Sequence, residues 1–295
     1  MAGNPETLFL LKDRFYVQEV VSIHRREWAA LLQEEANLPE PFKRFLASFE
    51  RAYVFTKKKP EVLIRGMNRS GVKKTIWLPS LPDVGQPHSL TARQKEVLAS
   101  EHIPWVETDK LLFPGSEDLQ KGREYLARLG GQGPWWAIHP GSGSPHKNWS
   151  WERFSETAQA ISRLSGIKPF FILGPAEMEA FPELAEKISG LGFPVLTDAP
   201  LPILAGVLSH CAGYLGNDSG ISHLAAALGL QVVVLFGPTD PKIWRPRGKK
   251  VTILQPDWPC APCSLEAART CPEKACWQSL LVGQVLDRIL PLVQG

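Results

Sequence analysis

Between residues 135 and 237 the chain alternates short apolar runs with longer amphipathic stretches, and few architectures accept that pattern. The runs WWAIH (135–139), PFFILG (169–174), FPVLT (193–197), AGYLG (212–216) and VVVLFG (232–237) are strand-sized and apolar throughout. Helical segments separate them. Ser150 stands as N-cap before WERFSETAQAISRL, and Gly166 as its stop. AEMEAFPELAEKIS (176–189) is interrupted at Pro182, PILAGVLSH covers 202–210, and a helix over 220–228 ends at Gly229. Strands without a polar face must be covered on both sides, so the alternation predicts a parallel, doubly wound, Rossmann-like α/β sheet.

The first half repeats the alternation less regularly. VQEVVSI (17–23), AYVFT (52–56) and KTIWLP (74–79) read as strands, and 25–36, 39–49 and 91–100 as helices. PSLPDVGQPH (79–88) is a turn-rich loop. LGGQGP (129–134) packs three glycines and a proline into six residues, which predicts a linker between domains 1–130 and 131–295. Two such sheets leave a cleft between them, and their ligands sit beyond the carboxyl ends of the strands. A net charge of +3 is too mild for a nucleic-acid binder. No apolar run approaches the roughly 20 residues that span a bilayer, and MAGNPETLF lacks the features of a secretory signal. Five cysteines, an odd number, fit a reducing compartment, so a cytoplasmic location is expected.

Two turns at strand ends carry the chemistry. After AGYLG come Asn217, Asp218, Ser219 and Gly220, then a helix whose first turn includes His223. A helix N-terminus offers free amides and partial positive charge to an anion. Gly220 permits close approach, Ser219 adds a hydroxyl, and His223 points toward the same spot. The competing reading is a capped helix with a partnered histidine. The second turn, HPGSGSPHKNW (139–149), has the small residues, hydroxyls and fixed cation of a phosphate cradle, through Ser142, Gly143, Ser144 and Lys147. It departs from the P-loop spacing, because Asn148 follows the lysine. Its competing reading is a flexible loop with a solvated lysine. Glu177, in LGPAE, is either a ribose-hydroxyl partner or a charge at a helix start.

HPGSGSPHKNW, LGPAE and GNDSGISHLAAALGLQVVVLFGPTDP, in this order and spacing, resemble the heptosyltransferases of glycosyltransferase family 9 over most of residues 130–295. The resemblance implies a GT-B fold of two Rossmann-like domains facing a cleft, and transfer of heptose from ADP-heptose to a lipopolysaccharide core acceptor. It implies inversion at the anomeric carbon, no metal, and no cofactor beyond the donor, ADP-heptose or a related nucleotide-sugar. A lipid-linked glycan is the implied acceptor, met at the inner face of the cytoplasmic membrane. Ser142 and Lys147 would contact phosphate or donor sugar, Asp218 the donor sugar, and Ser219, Gly220 and His223 the pyrophosphate. TDAPLP (197–202) would line the base. The family's opening strand and Gly-Asp loop, which carries the proposed base, has no match here, and no Gly-Asp dipeptide occurs in the sequence. Asp83 is a substitute base or a surface turn residue. Donor binding with weak or no transfer, and transfer from another nucleotide-sugar, are the alternative readings.

Cys260, Cys263, Cys271 and Cys276 form C-x2-C-x7-C-x4-C, a spacing open to structural zinc, to packed thiols or to a disulfide. Lys57, Lys58, Lys59, Arg65, Arg69, Lys73 and Lys74 make the first half basic, either as a solvated face or toward an anionic membrane surface. Trp149 and Trp151 flank the phosphate loop and Trp244 follows GPTDP, as packing or as stacking surfaces for a sugar or base.

Overall fold

The computed structural model describes residues 1–12, 17–33, 37–81, 90–130, 133–263, 265–272 and 274–293. Internal contacts divide the chain into two compact units, Met1–Glu107 and Thr108–Gly295.

In the first unit β1 (Ala2–Gly3) pairs with β2 (Val21–Ser22), and β3 (Arg51–Thr56) with β4 (Lys74–Pro79), both in parallel. The helices Glu40–Ala47 and Glu61–Arg69 bring Phe42, Leu46 and Met67 onto Leu31, Leu38 and Val72, which close a small core. The strand expected over 17–23 is only Val21–Ser22, and the helix expected over 25–36 is Arg26–Ala30. The helix Glu61–Arg69 has no clear sequence signal. It contacts its neighbour through Gly66, where a Cβ would stand 2.7 Å from the Leu31 carbonyl oxygen. Asp83 lies outside the described residues.

The second unit is built on six parallel strands. They are β5 (Trp135–His139), β6 (Lys168–Leu173), β7 (Val195–Thr197), β8 (Cys211–Asn217), β9 (Gln231–Leu235) and β10 (Val251–Leu254). Their spatial order is β10-β9-β8-β5-β6-β7. The chain winds outward from β5 to one edge, returns to β8 and winds to the other edge. That reversal opens a crevice at the carboxyl ends of β5 and β8, the switch point where doubly wound sheets bind ligands. Trp136, Ile138, Phe171, Leu215 and Val233 are fully buried in the sheet, as the all-apolar runs require.

Local signals fix the helices here. Trp151–Ser165 starts at Ser150, whose Oγ accepts the Arg153 amide at 3.4 Å, and stops at Gly166 with φ 68°. Pro182 falls in the gap between helices Pro175–Ala180 and Leu184–Gly190. The edge strand β10 and the helices Ser116–Arg128 and Val282–Val293 are additions to the expected elements.

The division into compact units falls between Glu107 and Thr108, and the glycine-rich stretch lies within the range of the second unit. The reason is the helix Ser116–Arg128, which packs on Leu201–Leu208 backbone to backbone. A Cβ on Gly122 would come within 2.2 Å of the Gly206 carbonyl carbon, and one on Gly206 within 1.9 Å of the Asp118 oxygen. His210 Nε2 adds a 2.8 Å contact to the Leu119 oxygen. No helix among the described residues is long and apolar enough to cross a membrane.

Candidate functional site

The two turns singled out by sequence leave adjacent strands, β5 and β8, and a buried asparagine ties them together. Asn217 ends β8 with no solvent exposure. Its Nδ2 donates to the Pro140 oxygen at 2.7 Å, and its Oδ1 accepts the Trp149 amide at 3.1 Å. One side chain thus clamps both ends of the loop 140–149 to β8. Trp149 is buried under the loop and donates its indole N–H to the Leu280 oxygen at 3.2 Å, so it packs. Lys274 and Trp277 donate to the oxygens of Pro145 and His146, bracing the short 3-10 turn Pro145–Lys147 from outside.

Lys147 leaves that turn toward β8. Its ammonium donates to the Asp218 oxygen at 2.9 Å and to Asp218 Oδ2 at 3.2 Å. An ammonium carries three hydrogens, so one remains for a ligand oxygen. Thr239, after β9, donates to the same Asp218 Oδ2 at 2.9 Å, so three loops converge on one carboxylate. The helix Gly220–Ala227 begins beside them with Ser219 as N-cap, its Oγ accepting the Ser222 amide at 3.3 Å. Helical geometry leaves the amides of Gly220 and Ile221 without intrahelical acceptors. No atom lies within 4 Å of where a Gly220 Cβ would stand, so the approach to them is open.

His223 is exposed on the first turn of this helix. The protein mass around its ring lowers its pKa from the ordinary 6.5, and Lys147 adds to the effect, while Asp218 and a backbone contact with Trp244 oppose it. Glu177 is buried. Burial by itself raises a carboxyl pKa, but contact with His139 and the amides of Gly174 and Glu177 outweigh it and hold the group below the ordinary 4.5. Glu177 Oε2 accepts the Gly174 amide at 2.7 Å, which makes it the capping carboxylate of its helix. A hollow of about 480 Å³ beside the site runs from Gly141 and Glu177 to Trp151, Phe181, Lys274 and Trp277.

Lys147, Asp218, Ser219, Gly220 and His223 therefore share one locality, with Glu177 at the tip of the next strand. Ser142 and Ser219 face inward instead of outward. Ser142 Oγ lies 2.6 Å from Asn148 Oδ1 and 2.8 Å from the Ser144 oxygen, so its hydrogen is used within the loop. Gly143 is exposed with open space around it. Asn217, Thr239 and His139 also belong to this locality, although the sequence motifs assign them no role. Their one sequence signal is position, each at the carboxyl end of a strand or in the loop just beyond it.

The four cysteines of the segment 260–276 are not gathered into a ligand set among the described residues. All five cysteines are free thiols, and among the described residues no group of three or more His, Cys, Asp or Glu side chains could hold a metal ion. The segment is instead committed to packing: the Cys263 amide donates to the Pro238 oxygen, and Cys276 sits on a helix whose Trp277 is buried against the core. Burial raises the thiol pKa of Cys263 and Cys276, and the neighbouring thiols add to it. In the first unit, Lys73 lies 3.0 Å from Glu50 and Lys59 3.2 Å from Glu61, and Lys74 pairs with Glu101.

The profile of Glycosyltransferase family 9 (heptosyltransferase) matches residues 98–275, which contain every element of this site. Lipopolysaccharide heptosyltransferase 3 of Escherichia coli is 27% identical over 180 residues, 58% of this chain and 51% of that protein. Lipopolysaccharide heptosyltransferase 1 of Pseudomonas aeruginosa is 30% identical over 146 residues, 50% of this chain and 41% of that protein. The chain thus matches about half the length of these curated relatives or less. Among solved structures, a family 9 glycosyl transferase from Veillonella parvula superposes with TM-score 0.75 and 16% identity, covering 99% of this chain and 87% of that one. The ADP-heptose lipopolysaccharide heptosyltransferase II of Escherichia coli superposes with TM-score 0.72 and 16% identity, covering 99% and 88%. The fold is α/β, of the GT-B type expected from the motifs, and the chain belongs to glycosyltransferase family 9, the heptosyltransferases.

Proposed function

We propose that this chain is a glycosyltransferase that grips the diphosphate of a nucleotide-sugar between the tips of β5 and β8. The observation that carries this reading is the meeting of Lys147 with Asp218 at the N-terminus of the helix Gly220–Ala227. Fixed positive charge, a spare ammonium hydrogen and two free amides converge there, which suits an oxyanion that gains charge as it departs. The donor is ADP-heptose, the acceptor hydroxyl belongs to a lipopolysaccharide core sugar, and the anomeric carbon inverts in a direct displacement. Family membership and the named activities of the relatives support this choice. Neither metal nor cofactor takes part: Lys147 and the helix terminus stabilise the leaving nucleoside diphosphate, and turnover is unchanged by EDTA. The reaction takes place on the cytoplasmic side of the membrane, where the lipid-linked acceptor is presented.

A thermal-shift panel with ADP-, UDP-, GDP- and CMP-sugars tests the donor. Stabilisation by the ADP series alone is expected, and a shift with another nucleotide in its place would remove ADP-heptose. Donor binding without transfer is the rival reading. Release of ADP in the presence of acceptor distinguishes the two.

A further inference from the structure

His139 is the last residue of β5, and it lies between two residues of the proposed donor site. Its Nδ1 is 3.3 Å from Ser219 Oγ, and its Nε2 is 3.6 Å from Glu177 Oε2. His139, Ser219 and Glu177 are 4%, 7% and 9% exposed, so water does not compete for these contacts. A neutral imidazole has one N–H and one lone pair. A carboxylate only accepts, which puts the hydrogen on Nε2, facing Glu177. Nδ1 then accepts from the Ser219 hydroxyl, whose oxygen also lies 3.2 Å from Ser222 Oγ. The Ser219 oxygen meanwhile accepts the Ser222 amide. Ser222 Oγ gives its own hydrogen to the Asn217 oxygen at 2.5 Å and takes one from the Tyr214 hydroxyl at 3.0 Å. Glu177 is pressed against the loop after β5, where a Cβ on Gly141 would stand 1.8 Å from Oε1. Each of these groups has its partner within the protein.

We propose that His139 is a positioning residue of the donor site, a single imidazole on β5 that sets the carboxylate at the tip of β6 and the helix cap at the tip of β8 in register with each other. The inference deepens the donor-binding reading above and rests on it. It also reassigns Ser219 to the scaffold: the hydroxyl orients the helix start, and the amides of Gly220 and Ile221 meet the diphosphate.

The test measures ADP binding to the full chain by calorimetry. His139→Leu removes both contacts and weakens ADP binding at least tenfold. His139→Asn places a carboxamide near the former Nδ1, and His139→Gln one near the former Nε2; each recovers part of the loss. Because part of the Ser219 effect passes through the ring, Ser219→Ala costs less affinity in the His139→Leu background than in the wild type. Losses that multiply, or wild-type affinity in His139→Leu, overturn the proposal. Nitrogen-15 spectra of the histidine side chains give a reading that needs no ligand. They should show hydrogen on Nε2 of His139 and an Nδ1 shift that moves in Ser219→Ala; hydrogen on Nδ1, or no response, overturns it. If the wild type binds no ADP, the donor reading fails and these spectra decide the role of His139. If His139→Leu does not fold, the Asn and Gln variants and the spectra carry the same test.

Discussion

Lys147 and Asp218 stand 71 residues apart in sequence, and their pairing decides what the lysine can do. Two of its hydrogens hold Asp218, which fixes the ammonium in place while leaving it incompletely used. Lys147→Met keeps most of the stem and removes the charge. The loss of one charge-assisted hydrogen bond, about 1.5–3 kcal/mol, lowers ADP affinity roughly 10- to 100-fold in a calorimetric titration. His223→Ala weakens binding in the same assay with no loss of melting temperature beyond a few degrees, since the side chain is exposed. Glu177 gives a pH signature. Its folded pKa lies below 4.5, so the unfolded chain binds more protons as pH falls past that value. Stability is therefore complete above pH 4.5 and is lost as pH drops toward the folded pKa. Glu177→Gln flattens that part of the acid unfolding curve, whatever its effect on stability at neutral pH. His223 has the same sign in a higher window, because its pKa is lowered from 6.5 and its neutral form is favoured in the folded chain.

Secondary elements differ in how openly they announce themselves. The helix Trp151–Ser165 has a serine cap, an apolar face and a left-handed glycine at its end, all readable in order. Ser150→Ala removes the cap and costs about 1 kcal/mol in chemical denaturation. Gly166→Ala forces a Cβ into a φ of 68° and costs about 1–2 kcal/mol. The helix Ser116–Arg128 has the Asp118 carboxylate on the Gly115 amide at its start and Gly130 at φ 116° beyond its end, but no comparable apolar face. Only Gly122 and Leu126 are buried along it, because it meets Leu201–Leu208 through paired glycines instead of an apolar stripe. Gly206→Val would push side-chain atoms into the Asp118 carbonyl, and a loss of about 3 kcal/mol or more is expected, as for overpacked cores. Denaturation curves that match the wild type would show that the two helices can separate freely.

At the scale of the whole chain, the unit Thr108–Gly295 carries every residue of the proposed donor site and the six-stranded sheet. A chain limited to residues 108–295 is expected to unfold cooperatively and to bind ADP within a few-fold of the full protein. A chain starting at residue 131 lacks the helix that covers Gly206, and it should be markedly less stable or aggregate. Equal stability of the two fragments would place the boundary at the glycine-rich stretch after all. The first unit is less legible for a physical reason. Its described strands make two parallel pairs of two to six residues, and its core gathers around Phe42 and Leu46, so no long apolar run marks it.

The amino-acid sequence by itself determined the doubly wound sheet of the second unit, its helix caps and the two turns that hold Lys147 and Ser219. Those depend on local periodicity, on glycine and proline conformations and on the order of motifs, all of which are properties of neighbouring residues. Only the tertiary structure decided which polar groups are spent inside the protein. Ser142 and Ser219 carry hydroxyls that suit a phosphate, yet one is satisfied within its own loop and the other lies between Ser222 and His139, 80 residues away. Hydrogen-bond satisfaction and backbone contact at glycine are long-range matters, and a residue's type does not reveal which partner reaches it first.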